Sequence, residues 1–225
     1  TFRLKQDATG YELSTLGEAK GILALVYWGQ FRQSSRGMIT EKGAQPLEYQ
    51  VELGSSDRTE KATVDWENHQ VTLRNGEKLA FTEPLQDQLS FLLQFYFAPP
   101  VSKRYAFTMF SSRKLELFVF EQLGEETIAM EWGGVATQHW QRVSEDGARI
   151  DLWLAPEYRL MPVKVRYANK NATKVNELRL AGILINQYNP LTGNEQTQDQ
   201  WLHDVQRTSL GASGHPESTN LPDQP

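Results

Sequence analysis

The side chains able to do chemistry are scattered along this chain. Ser111-Ser112-Arg113-Lys114 has the Ser-x-x-Lys spacing in which a lysine one helical turn on takes the proton of a nucleophilic serine. That chemistry needs the serine at a helix N-terminus. Here the four residues lie in a polar stretch between two strand-like runs, so they read as a turn. His69, His139, His203 and His215 show neither His-Glu-x-x-His nor any paired spacing, and no metal site is predicted from them. Asp65 and Glu67 flank Trp66, and Asp151 stands two residues before Trp153. Acid beside indole is the composition of a sugar platform, and paired carboxylates serve glycoside hydrolysis. On a strand, though, Asp65 and Glu67 point to the face opposite Trp66, which reads as a polar outer face with the indole inside. The chain has no cysteine, which removes thiolate nucleophiles, zinc–thiolate sites and disulfides. No catalytic residue, metal or cofactor is predicted.

The elements that must carry these residues are mostly strands. Ile150, Leu152 and Leu154 alternate with Asp151 and Trp153, then Val163, Val165 and Tyr167 with Lys164 and Arg166. Pro156 and Pro162 bracket the connection, where the missing N–H groups bar a regular ladder. Gly21–Trp28 is almost wholly apolar and reads as a central strand. Asn75-Gly76 is the strongest hairpin signal, since both residues tolerate positive φ. Further strands are predicted at 104–110, 115–122, 125–130, 136–143 and 175–184, with connections short enough for antiparallel meanders. About a dozen strands and one helix exclude a doubly wound α/β fold.

That helix is predicted from about Leu85 to Phe97. Leu85, Leu89, Leu92, Leu93 and Tyr96 share one face, Pro84 suits a first turn, and Pro99-Pro100 end it. Phe91 and Phe95 lie on its other side, so it is apolar beyond one stripe. The predicted fold is all-β and mainly antiparallel: a strongly curved sheet or incomplete β-barrel with one helix packed on the concave side. The helix is either a core plug or a lid over an apolar cavity. The candidate ligand-binding residues are Trp66, Leu89, Leu92, Leu93, Tyr96 and Trp153.

Hydrophobic residues at 39% and aromatics at 11% suffice for a real core. The net charge of −5 lacks the basic surplus of a nucleic-acid binder. Lys164, Arg166, Lys170, Lys174 and Arg179 form a mildly basic region that reads as a solvated face. Beyond Gln187, Arg207 is the one basic residue, against Glu195, Asp199, Asp204, Glu217 and Asp223. Residues 1–186 are expected to form a single curved domain, and 187–225 an acidic, polar, flexible tail with a short helix over 197–207. No apolar run is long enough to span a bilayer.

Several stretches together resemble the bacterial family known as domain of unknown function 3108. Ser35-Arg36-Gly37 with Gly43-Ala44-Gln45-Pro46-Leu47-Glu48-Tyr49 is similar to its "Ser-x-Gly … Gly-x-x-Pro-x-x-Tyr" passage. Val64-Asp65-Trp66 and Gln86-Asp87-Gln88-Leu89-Ser90 resemble its "Phe-Asp-Trp" strand and "Gln-Asp-x-Leu-Ser" helix start. Leu152–Pro156 with Leu160–Val165 resembles its closing hairpin. The resemblance spans roughly residues 10–186. It implies an exported envelope protein of a Gram-negative bacterium, periplasmic, with the leader or anchor absent from this chain, and a curled sheet akin to lipoprotein-carrier folds. It brings no catalytic residue. Asp65, Asp87 and Trp153 match family positions, and Asp87 sits where an N-cap would accept helix N–H bonds.

Two functions are expected to compete. One is a non-catalytic periplasmic binding or carrier module for a lipid or other apolar or amphipathic ligand. The alternative is a structural or interaction protein of the envelope that docks a protein partner through a sheet edge or the tail. A cell-wall glycan hydrolase ranks behind both.

Overall fold

The computed structural model describes residues 2–6, 10–18, 30–53, 59–173, 175–180, 188–189 and 194–195. The Gly21–Trp28 strand, the 197–207 helix and most of the expected tail lie outside these residues. The chain divides into two compact units, residues 1–128 with 135–179, and residues 129–134 with 180–225. In the second, the described residues include a two-stranded ladder, β15 (Tyr188–Asn189) with β16 (Asn194–Glu195).

The all-β expectation holds, and apart from the β15–β16 ladder the described strands divide between two seven-stranded sheets. Sheet A is an antiparallel meander of β1 (Phe2–Gln6), β2 (Gly10–Glu18), β3 (Gln30–Thr40), β4 (Gly43–Leu53), β5 (Thr59–Asp65), β6 (Gln70–Thr72) and β7 (Lys78–Ala80). The Asn75-Gly76 turn joins β6 to β7 with Gly76 at φ +83°. Sheet B follows the order β14-β13-β12-β11-β10-β9-β8. Its strands are β8 (Leu85–Asp87), β9 (Arg104–Phe110), β10 (Leu115–Met130), β11 (Gly133–Val143), β12 (Arg149–Ala155), β13 (Met161–Ala168) and β14 (Val175–Arg179). The two predicted strands over 115–130 are one continuous strand. The 150–167 hairpin forms as expected, with a short 3-10 turn at Pro156–Tyr158 and a register shift at Trp153/Leu154.

The helix is shorter than its spacing suggests. Helix α1 spans Ser90–Phe97, and Leu85–Asp87 instead pair in parallel with Thr108–Phe110 of β9. The Leu85/Leu89 spacing mimicked a helical period because both side chains are buried, one from a strand and the other from the turn before α1.

Two apolar clusters explain the two-sided helix. Leu89 and Leu93 belong to the first, with Tyr11, Leu13, Tyr49, Val71 and Phe81 of the sheet A region. Phe91 and Phe95 belong to the second, with Phe107, Phe118, Phe120, Trp140, Leu152 and Leu154 of sheet B. The Phe95 ring lies 5.5, 6.2 and 5.6 Å from Tyr105, Phe120 and Trp140, which come from three successive strands. Adjacent strands stand about 4.8 Å apart, so one ring reaches all three only because the sheet curls around it. Sheet B is a half-barrel wrapped on α1, and the face turned to the helix is its inner face. Fully burying a side chain such as Phe95 contributes about 1.5–3 kcal/mol.

Candidate functional site

The start of α1 is held by Asp87, which is fully buried. Its Oδ1 accepts the N–H groups of Leu89 and Ser90, both at 2.8 Å, and Ser90 Oγ accepts the Asp87 N–H at 2.8 Å. This reciprocal pair closes the turn that leads into α1, whose N-cap residue Leu89 carries no side-chain cap of its own. It satisfies the Leu89 and Ser90 N–H groups, which have no intrahelical partner. Ser35 Oγ donates to Asp87 Oδ2 and shares a 3.0 Å bond with Tyr11 OH. Burial pushes the Asp87 carboxyl up to about 6, against the bonds from Ser35, Ser90 and Leu89 that favour its charged form.

A second clamp ties the helix to the β3–β4 turn. Gln94 Oε1 accepts from the Ala44 N–H and from Gln86 Nε2, while Gln94 Nε2 donates to the Lys42 carbonyl. Gln86 Nε2 also donates to the Ala44 carbonyl at 2.8 Å. Gly43, at φ +101°, lets the turn approach that closely, because a Cβ there would overlap the Gln94 amide. Tyr49 OH accepts from Gln33 and donates to Gln88, each at 2.8 Å. The segment from Gln86 to Gln94 is therefore bolted to sheet A.

The six predicted binding residues do not form one site. Leu89 and Leu93 are buried in the first cluster, with Trp66 packed against it. Trp66 points inward as expected, donating to the Pro46 carbonyl at 2.9 Å and meeting Phe81 edge-on. Leu92 packs against the second cluster. Tyr96 is half-buried under the Arg159 guanidinium. Trp153 belongs to neither cluster. It alternates with Leu152 and Leu154, so it lies on the outer face of sheet B, where Asp151 shares its side.

On that outer face a polar network surrounds Trp153. The His139 ring stacks on the indole at 4.6 Å, and Lys164 Nζ stands 4.2 Å from the ring centroid. Trp153 Nε1 donates to Glu126 at 2.6 Å. His139 Nε2 meets Asp151 at 2.9 Å and Nδ1 meets Glu126 at 3.4 Å. The two carboxylates thus sit on opposite edges of the imidazole and do not converge on one point. Among the described residues no group of His, Asp and Glu side chains could hold a metal ion.

The other chemical candidates resolve as local structure. Ser111 Oγ accepts the N–H groups of Arg113 and Lys114, and Lys114 pairs with Glu116. Ser112 and Arg113 bind Glu60, which Arg74 also meets. Hydrogen bonding from Arg113 above all holds the Glu60 carboxyl down at about 2. Asp65 accepts from the N–H and side-chain amide of Asn68 and organises its own turn.

One group escaped the sequence reading. Arg142 shares its parity on β11 with Trp140, so it points to the inner face, and its guanidinium lies 3.6 Å from the Phe118 ring centroid. Phe118 in turn meets Phe107 and Phe120 at 5.9 and 6.4 Å. Burial lowers the pKa of the half-covered guanidinium from its usual value. Next to it on the inner face run Ile150, Tyr167, Val165 and Leu178, set by the β11–β12–β13–β14 register. The signal was the Trp140-x-Arg142 spacing itself, a cation at a core-facing position.

Fold and site define a two-sheet, mostly antiparallel β protein built around a doubly buried helix. The chain belongs to the family described as "Protein of unknown function (DUF3108)", which it matches over residues 1–179. No curated protein and no solved structure matches the chain. No helix among the described residues is long and apolar enough to cross a membrane.

Proposed function

We propose that this chain is a non-catalytic binding or carrier module of the bacterial envelope that takes an apolar or amphipathic ligand. The observation that carries the reading is apolar surface left open on the inner face beyond the helix. Leu178 is 58% exposed and Tyr167 42% exposed, beside the half-buried Ile150 and Val165. The space between sheet and helix is filled by Phe91 and Phe95, so the helix acts as a plug and the ligand lies past it, toward β14. The envelope setting follows the family resemblance.

Native mass spectrometry of protein extracted from its own host should reveal a co-purified lipid. An environment-sensitive apolar dye should brighten with the wild type and lose most of that response in Leu178→Asp. A clean unliganded mass together with a silent dye would refute the reading.

A second reading, a structural protein that docks a partner through a sheet edge or the tail, draws support from the same filled interior. Under it, pull-down from envelope extract would depend on residues 187–225 or on β14, and the dye would stay silent.

A further inference from the structure

Resting on the ligand-binding reading above, we infer that the ligand is a long-chain carboxylic acid whose head group pairs with Arg142 and whose alkyl chain lies over Tyr167, Val165 and Leu178.

A guanidinium has five N–H donors in one plane, and a half-buried one ordinarily uses them. Among the described residues no hydrogen bond or ion pair reaches the Arg142 guanidinium; its nitrogens are open to solvent, and its flat side meets the Phe118 ring. Stacking covers a flat side of the guanidinium and leaves its N–H edge open. That edge is the fork that receives a carboxylate through two parallel hydrogen bonds. The cation is thus held in place by an aromatic ring while its recognition edge stays vacant.

The neighbouring acids narrow the class of head group. Glu116 and Asp146 attract Arg142 only at a distance. Glu116 pairs with Lys114 at 2.7 Å, and Asp146 accepts from Ser144 and from the Ala148 N–H. Both remain negative charges near the arrival point of the head group. They would repel a dianion such as a phosphate monoester more strongly than a carboxylate. With Glu116 answered by Lys114, Arg142 and Asp146 leave the locality near neutral, which opposes a single negative charge less than a double one.

The apolar surface gives the direction of the chain. Arg142 pairs in register with Ile150, Ile150 with Tyr167, and Leu178 with Val165. From β11 to β14 is three strand spacings, roughly 14 Å, a span that suits a long alkyl chain and wastes a short one.

The test compares hexadecanoic acid with hexadecan-1-ol, which share a chain and differ in head-group charge, by displacement of the apolar dye from the full chain. The wild type should bind the acid roughly ten- to a hundred-fold more tightly than the alcohol, the range of a charge-assisted hydrogen bond. Arg142→Gln should abolish that preference, with the acid losing far more affinity than the alcohol. Arg142→Lys, which keeps the charge and loses the fork, should retain only part of it. Equal binding of acid and alcohol by the wild type overturns the head-group assignment while the apolar site stands. Failure of both to displace the dye from a wild type that responds to it also overturns it. A wild type that gives no dye response and binds neither compound removes the site itself.

Discussion

The start of α1 and the open end of sheet B each cover a charged side chain, and they treat it in opposite ways. Asp87 is fully buried and receives hydrogen bonds from Leu89, Ser90 and Ser35. Arg142 is half-buried on an aromatic ring and, among the described residues, meets no acceptor. A buried charge costs several kcal/mol unless its partners compensate. The region around Asp87 meets part of that requirement from both sheet A and the helix, and the raised pKa is what remains unmet. The Arg142 guanidinium reaches solvent and needs no protein acceptor, which leaves its N–H edge free for the carboxylate proposed above.

Leucine truncation should separate the two regions most widely. Leu93→Ala, in the packed cluster beside the Asp87 turn, should cost about 2–5 kcal/mol in chemical denaturation. Leu178→Ala, on the exposed surface of β14, should stay within about 0.5 kcal/mol of wild type. Equal losses at the two sites would mean that the open face is packed and the contrast false.

The Asp87 side can be sharpened by pH. Its carboxyl is raised to about 6 in the folded protein, against about 3.9 for an unperturbed aspartate. A raised folded pKa gives stability that is fully present below the unfolded value and lost as pH rises through the folded one. Stability of the wild type relative to Asp87→Asn should therefore fall by about 2 kcal/mol between pH 4 and pH 7. Asparagine keeps an acceptor for the Leu89 and Ser90 N–H groups and carries no titrating charge. The ion-paired acids Glu60, Glu48 and Glu177 are shifted down. They lose their contribution only as pH drops further, and they are common to both proteins. A difference that stays flat with pH would show that the carboxylate is ionised at no cost.

What the sequence made legible was local. Alternation over 150–167 fixes which side chains share a face, and Asn75-Gly76 declares its turn through two residues that tolerate positive φ. Gln86-Asp87-Gln88-Leu89-Ser90 closes its own turn. The apolarity of Phe91 and Phe95, in excess of one stripe, was the trace of a second core. What could not be read was set by distant pairing. Leu85–Asp87 are a strand only because β9 lies alongside, and nothing within a few residues of Leu85 says so. The grouping of Trp153 with Trp66 failed for another reason. The strand pattern already set Trp153 opposite Leu152, and the outer face of sheet B covers it with His139, Lys164 and Glu126. Arg142 was passed over because one arginine in a strand carries no motif. Its meaning depends on the ring that β10 places beneath it.

The smallest expected effect is the most discriminating. Arg142→Met keeps an unbranched apolar stem over Phe118 and removes the charge. The lost cation–π contact is worth about 0.5–1 kcal/mol where solvent is near. A thioether against the same ring returns about 0.3–1.5 kcal/mol. Removing a half-buried cation with no hydrogen-bonded partner also relieves its desolvation, a gain that an ordinary salt-bridged arginine would not give. Thermal unfolding of Arg142→Met should thus match the wild type or exceed it slightly, at low and high salt alike. Asp87→Ala, by contrast, strands the Leu89 and Ser90 N–H groups and leaves Ser35 with Tyr11 alone, at about 1–3 kcal/mol for a buried group left unsatisfied. Should Arg142→Met instead lose more than about 1 kcal/mol, the guanidinium would hold part of the fold together, as Asp87 does. The difference between the two regions would then be one of degree, and the vacant fork would no longer argue for a ligand.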